Sequence, residues 1–264
     1  MSEPFPDKAG ERIAKRLARA GLCSRREAER WIAEGRVAVD GRVLDSAAVV
    51  VTPDQRVTVD GRTLPVPAAA KLWRYHKPKG LLVTERDPHG RPTVFQNLPP
   101  QLGRLVSVGR LDFNSEGLLL LSNDGALARH LELPATGWTR RYRVRVHGVV
   151  DVAALARLSQ GATIDGLRYG PIDARLDSVK GSNAWLTMAL QEGKNREVRK
   201  LCQHLGLTVT RLIRVAYGPF QLGELPEGSV AEIAQRVLAA QLGQAGRALV
   251  AGPARRDAHR RRPA

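Results

Sequence analysis

Cysteine, acidic residues and long apolar runs are all scarce in this chain, and each shortage excludes something. Two cysteines in 264 residues, Cys23 and Cys202, lie far apart in sequence. They cannot build a disulfide framework, so a reducing compartment, the cytoplasm, is expected. No apolar run approaches the roughly 20 residues that a membrane helix needs. The opening residues, MSEPFPDKAGER, carry acids and prolines where a secretory leader needs an apolar stretch, so no membrane partner is expected. The six histidines show no ligand spacing. Cys202 and His204 are close, but no second pair matches them, so no metal site is expected. A P-loop and a dinucleotide fingerprint are missing too.

Positive charge is what the chain has in excess. Lys and Arg number 42 against 26 Asp and Glu, a formal net charge of +16. Hydrophobic residues make up 43% of the chain, enough for a packed core, so wholesale disorder is excluded. A surplus of this size points to a polyanionic partner, nucleic acid first of all. A basic surface kept for solubility is the plainer alternative.

The front of the chain reads as two short basic helices and then short strands. In ERIAKRLARAG, residues 11–21, Ile13, Ala14, Leu17 and Ala18 share one helical face, with Arg12, Lys15, Arg16 and Arg19 mostly opposite and Gly21 as the stop. Ser24 and Glu27 give the S-x-x-E spacing of a capping box. The helix they open carries Arg25, Arg26 and Arg30 on its basic face and ends at Gly35. Asp40-Gly41 and Asp60-Gly61, each between short β-rich stretches, predict two hairpins. The cations of the helix pair can grip phosphates, or form an ordinary solvated face.

Pro65 to Ala70 has two prolines and no period, and reads as a linker. From Lys71 the pattern changes. Leu72–Tyr75 and Leu81–Thr84 are expected strands around His76-Lys77-Pro78-Lys79-Gly80, and Arg86 to Thr93 an exposed loop. The stretch VSVGRLDFNSEGLLLLSNDG, residues 106–125, is the most informative. Leu118 to Leu121 predicts a buried strand, and Ser122 to Asp124 can cap a helix over Ala126–Leu131. Before that strand, Arg110, Leu111 and Asp112 lie between Gly109 and Gly117. A carboxylate beside an arginine there is either a catalytic group or a structural salt bridge, and chemistry alone favours the bridge. RRYRVRV, residues 140–146, alternates with the strand period, with Arg141, Arg143 and Arg145 on one face and Tyr142, Val144 and Val146 on the other. Leu186–Leu190 and Leu212–Val215 are further strands, and the cation-dense EGKNREVRK between them feeds a helix.

Two resemblances follow from these strings. LARAGLCSRREAERWIAEGRVAVDGRVL resembles the S4 RNA-binding domain, whose helix pair docks a basic face on structured RNA. The residues this implies are Arg12, Lys15, Arg16, Ser24, Arg25, Arg26, Glu27 and Arg30. HKPKG, RPTVFQNLP, VGRLDFNSEGLLLLSNDG, RRYRVRV, EGKNREVRKLC and LIRVAYGPFQLGELPEGS resemble, in that order, the RsuA/RluB-type bacterial ribosomal RNA pseudouridine synthases. The match runs from about residue 11 to about residue 235; where many members have threonine, this chain has Ser115.

The resemblance implies an α+β protein. A small S4 domain (11–64) and a linker (65–70) precede a catalytic domain (71–240) with a mixed, mainly antiparallel sheet. The remainder, 241–264, reads as a disordered basic tail. The resemblance implies isomerisation of uridine to pseudouridine in ribosomal RNA, 23S rather than 16S; that reaction is redox-neutral, so no cofactor is expected, and a monomer is expected because no coiled coil or long exposed apolar stripe is evident. Asp112 becomes the catalytic carboxylate, Arg110 a helper in base extrusion, Tyr142 the stacking ring and Arg199 the cation that pairs with Asp112. Leu222 is implied as the apolar wall of the base pocket, and Lys194 and Arg196 as phosphate contacts. A noncatalytic RNA-binding or ribosome-assembly protein of the same fold is the alternative.

Overall fold

The structure, a computed structural model, describes residues 10–250, which fall into two compact units divided after Ala70. In the first, β1 (Glu11–Arg12) leads into α1 (Ile13–Arg19), and α2 (Arg25–Ala33) follows. Ile13, Ala14, Leu17, Ala28 and Ile32 are buried from these two helices. Ser24 caps α2 by accepting from the Glu27 amide at 3.1 Å. The Glu27 carboxylate turns instead to Arg30, so only one half of the capping box forms.

A four-stranded antiparallel sheet completes the unit, ordered β3-β2-β5-β6. Its strands are β2 (Val37–Val39), β3 (Arg42–Val43), β5 (Val57–Val59) and β6 (Arg62–Thr63), while β4 (Val50–Val51) pairs with β1. Asp40 and Asp60 turn the two hairpins with φ of 50° and 49°, the left-handed geometry that an Asp-Gly turn supplies.

The second unit, Lys71–Val250, is built on a nine-stranded sheet. The strands along it are β7 (Leu72–Lys77), β8 (Val106–Val108), β9 (Glu116–Ser122), β10 (Arg140–His147), β13 (Ile172–Lys180), β14 (Asn183–Leu190), β15 (Thr208–Tyr217), β16 (Phe220–Gln221) and β17 (Val230–Glu232). The main path is β13-β14-β10-β15-β9-β7-β17, with β16 on β15 and β8 on β9. Only β9 against β15 is parallel, so the sheet is mixed and mainly antiparallel.

A hairpin of β11 (Ala162–Ile164) and β12 (Leu167–Tyr169) stands apart from that sheet. The helices are α3 (Gly125–Glu132), α4 (Val152–Arg157), α5 (Glu197–His204), α6 (Gln235–Gln241) and α7 (Gln244–Val250). Leu155, Leu201 and Cys202 of α4 and α5 pack with Val144, Val146, Leu186 and Met188 into one core cluster. Among the described residues no helix is long and apolar enough to cross a membrane.

Two local expectations change. Leu81–Thr84 is not a strand; it makes one isolated parallel bridge, Leu82 to Thr93. The Leu82 amide donates to Pro92 O at 3.0 Å and its carbonyl accepts from the Val94 amide at 2.8 Å, and no ladder continues on either side. Residues 244–250, assigned above to a tail, form α7, in which Val250 is buried. Gln241 likewise ends α6 and Leu242 is buried, while residues 251–264 of that tail lie outside the described residues.

Gly117 fixes how closely β9 approaches β15. Its φ is +99°, and a Cβ there would lie 2.3 Å from the Arg214 carbonyl oxygen and 2.8 Å from its nitrogen, both backbone atoms. Gly117→Ala is therefore expected to destabilise the protein by roughly 2–4 kcal/mol, from strained backbone and a spread strand pair. Thermal unfolding checks this, with a midpoint lowered by about 5–10 °C.

Candidate active site

The loop between β8 and β9 carries Arg110, Leu111 and Asp112. Both flanking strands are ordered by burial: Val108 and every residue of β9 are inaccessible. The loop is then held by the carbonyls that follow Asp112. The Phe113 carbonyl accepts from the Gly80 amide at 2.9 Å. The Ser115 carbonyl accepts from Lys77 Nζ at 2.9 Å, and Lys77 also reaches Pro78 O at 2.9 Å and Phe113 O at 3.4 Å. The Asn114 carbonyl accepts from Arg199 Nη2 at 2.9 Å. Three consecutive carbonyls are thus pinned from two sides, and the Asp112 carboxylate is left out of the restraint.

Lys77 has no exposed surface. Burial pushes its ammonium down to about 8, against the opposing pull of Asp112 and Glu116. Glu116 is buried as well. Burial pushes its carboxyl up, but Arg211 at 2.8 Å and Lys79 at 3.1 Å outweigh that and hold it below its ordinary value.

Asp112 opens onto a cavity of about 790 Å³ lined by Arg110, Leu111, Tyr142, Leu190, Arg196, Val198, Leu212 and Arg214, among others. That volume is within the range of small-molecule pockets and holds a nucleotide. The Asp112 side chain is 33% exposed, so it is neither sealed in the interior nor fully solvated. Arg110 is exposed at the same cavity. Tyr142 projects from β10 on the face opposite Arg141 and Arg143, half-buried between two core clusters. Its cross-strand neighbour on β15 is Arg214.

The expected cation partner changes. Arg196, not Arg199, forms the ion pair with Asp112, at 3.9 Å. Arg196 caps α5 from a left-handed backbone (φ 52°), a conformation costly for a residue with a side chain, and this aims it into the cavity. Arg199 comes one turn later and is directed behind the loop, onto Asn114 O and, at 3.5 Å, Val209 O. Leu222 does not line the cavity; it is buried elsewhere, with its amide on Val215 O. Leu111, Leu190 and Leu212 provide the apolar wall instead. Lys194 lines the cavity, but its ammonium is engaged by Glu192 at 2.6 Å and Arg168 O at 2.7 Å.

Lys77, Arg140 and Arg214 are additions that sequence reasoning missed. Arg140 is buried on Trp138 O, Gln191 O and the Tyr217 hydroxyl, tying the 191–196 turn to β10. Arg214 is buried with Nε on Leu118 O, and its Nη2 has no partner among the described residues. An arginine inside a short apolar strand, LIRVAY, was the available signal.

In the first unit, the basic helical face is only partly free. Glu11 lies within 3.8 Å of Lys15, 3.7 Å of Arg16 and 3.4 Å of Arg19. Arg30 pairs with Glu27 and Glu34. Arg12, Arg25 and Arg26 are exposed without a carboxylate partner among the described residues, and Ser24 is spent on the cap.

The RNA pseudouridylate synthase family matches residues 71–204, and the S4 domain family residues 11–57. The chain is 43% identical over 228 residues to an uncharacterized RNA pseudouridine synthase of Rickettsia felis, covering 86% of this chain and 99% of the relative. This chain belongs to the RNA pseudouridine synthase family. Within it, the ribosomal large subunit pseudouridine synthase B of Yersinia pestis is 44% identical, over 85% of this chain and 73% of that one. The protein of that description from Escherichia coli O157:H7 is also 44% identical, over 84% and 79%. Among solved structures, a pseudouridylate synthase crystal structure shares the synthase fold, with a TM-score of 0.62 at 24% identity over 88% of this chain and all of that one. Among the described residues no group of three or more His, Cys, Asp or Glu could hold a metal ion.

Proposed function

We propose that this pseudouridine synthase acts on the 23S RNA of the large ribosomal subunit, as a monomer in the cytoplasm, with Asp112 as the acting carboxylate. The observation that carries this reading is an ionisable side chain at an open cavity, on a loop whose backbone is restrained independently of that side chain. The two relatives described as large-subunit synthases support the choice of 23S RNA.

The isomerisation breaks the bond from uracil N1 to ribose C1′ and forms one from C5 to C1′. N1 gains a proton and C5 loses one, so the reaction is redox-neutral and calls for no cofactor. A uridine stacked in RNA must first be extruded. Arg110, exposed at the mouth, suits the vacated space or the displaced phosphate. Tyr142 offers a ring face to the base, a contact worth about 1–3 kcal/mol. Arg196, 3.9 Å away, orients the Asp112 carboxylate as the cavity dries, and Arg199 acts through the loop backbone. Arg214 offers a donor to the base or its phosphate from the cavity wall. In the S4 unit Arg12, Arg25 and Arg26 are the cations free to meet phosphates, with Lys15, Arg16 and Arg30 available at the cost of an internal pair, and Lys194 serves the turn instead.

Tritium release from RNA labelled at uridine C5 tests the substrate. Purified protein is expected to release tritium from 23S transcripts and none from 16S transcripts. Release from 16S alone reassigns the substrate. Release from neither supports the noncatalytic RNA-binding reading.

A further inference from the structure

The strand that carries Tyr142 on one face carries an arginine row on the other. Arg141, Arg143 and Arg145 of β10 are all exposed, while Val144 and Val146, which alternate with them, are buried in the core under α4 and α5. A strand rises about 3.3 Å per residue, so alternate side chains stand roughly 6.7 Å apart in a line. The register extends the row sideways. Arg143 faces Thr187 of β14 and Ile213 of β15, and Arg145 faces Trp185 and Arg211. Arg175 lies beyond Thr187 on β13.

This face is cationic and open. Arg211 is committed to Glu116, and Arg175 lies 3.7 Å from Asp177, which also accepts from Thr187. Arg141, Arg143 and Arg145 have no carboxylate partner among the described residues. Asp173 shares the face, but the register sets it two strands from Arg141, about 10 Å away. The Arg143 guanidinium lies 4.6 Å over the Trp185 ring, a cation–π contact that anchors it at the surface. Three unneutralised guanidiniums in a row suit successive phosphates, which arginine binds in a bidentate fork.

We propose that this outer sheet face docks the phosphate backbone of a structured RNA segment remote from the reacting uridine. It is a second nucleic-acid contact, on the reverse of the cavity that holds Asp112. The occupant is RNA rather than protein because the surface offers a line of charge with one aromatic ring and little apolar area. The assignment does not require Asp112 to react, so it can fail while the catalytic reading stands, and the reverse.

The test uses the full chain and a uridine-free G·C RNA duplex, which cannot enter as a substrate. Affinity is measured by fluorescence anisotropy across a salt series for the wild type, for Arg141→Gln/Arg143→Gln/Arg145→Gln, and for the matching triple lysine variant. The glutamine variant is expected to lower the slope of log K against log salt by about 2–3, near one per lost phosphate contact. The lysine variant is expected to keep the wild-type slope, since it keeps the charge. Equal slopes for all three proteins overturn the proposal. So does an equal loss in both variants, which reports disturbed packing rather than lost charge. If the glutamine variant keeps its RNA slope but loses binding to phosphatidylserine vesicles, the face is a lipid surface and the proposal falls.

Discussion

Asp112→Asn is expected to slow pseudouridine formation by about a thousandfold or more, roughly 4 kcal/mol of barrier, while RNA affinity stays unchanged. The substitution keeps the shape of the side chain and removes its charge. The loop does not need that charge: Phe113, Asn114 and Ser115 are held through their carbonyls by Gly80, Arg199 and Lys77. What is lost is the ion pair with Arg196 and the carboxylate proposed to react. Single-turnover tritium release measures the rate, and anisotropy on the same RNA measures binding. Weakened binding in step with the rate assigns Asp112 to the scaffold, as the salt-bridge reading of the sequence allows.

Lys77→Met is expected to lower the rate by about a hundredfold, the scale of a misplacement of 1 Å at a reacting group. Methionine fills the buried volume but removes the lysine donor from the Pro78 and Ser115 carbonyls, while Phe113 O keeps the Gly80 amide. Each carbonyl left unpaired costs about 1–3 kcal/mol, and relief from a buried charge offsets part of that, so activity falls much further than stability. The pH profile separates this from a general packing defect. Burial lowers Lys77 from its ordinary 10.5 to about 8. Above about pH 8 the folded protein therefore loses the ammonium that grips the loop, and wild-type activity is expected to decline there. Stability moves the other way. A group with a depressed folded pKa contributes fully above its unfolded value, and the contribution is lost as pH falls through the folded one. The contribution of Lys77 to stability thus rises from about pH 8 to 10.5, so the activity loss is not unfolding. The methionine variant is expected to lack that alkaline limb. A limb of equal position in both proteins assigns it to another group.

The elements that local pattern dictates were legible in advance. Leu118–Leu121, Asp124 before its helix, the two Asp-Gly hairpins and the alternation of β10 all follow from residues close in sequence, and Asp112, Arg110 and Tyr142 meet at one cavity. What was not legible depends on long-range geometry. Whether Arg196 or Arg199 reaches Asp112 turns on a left-handed residue at the start of α5, and a cation-dense turn gives no sign of which residue that is. Leu222 shares its composition with any pocket wall, and only the β15–β16 pairing takes it elsewhere. Lys77 read as a turn residue because its three acceptors are carbonyls, which have no side-chain signature. The Leu81–Thr84 run is apolar, but a strand also needs a neighbour along its length.

The most direct test of the central claim is a complementation experiment. Cells that lack this protein are given either the wild type or Asp112→Asn at equal abundance, and pseudouridines are mapped across their ribosomal RNA. One 23S uridine is expected to be unmodified in the deleted strain, converted again by the wild type and left as uridine by the variant. Conversion of that uridine by Asp112→Asn would contradict the claim.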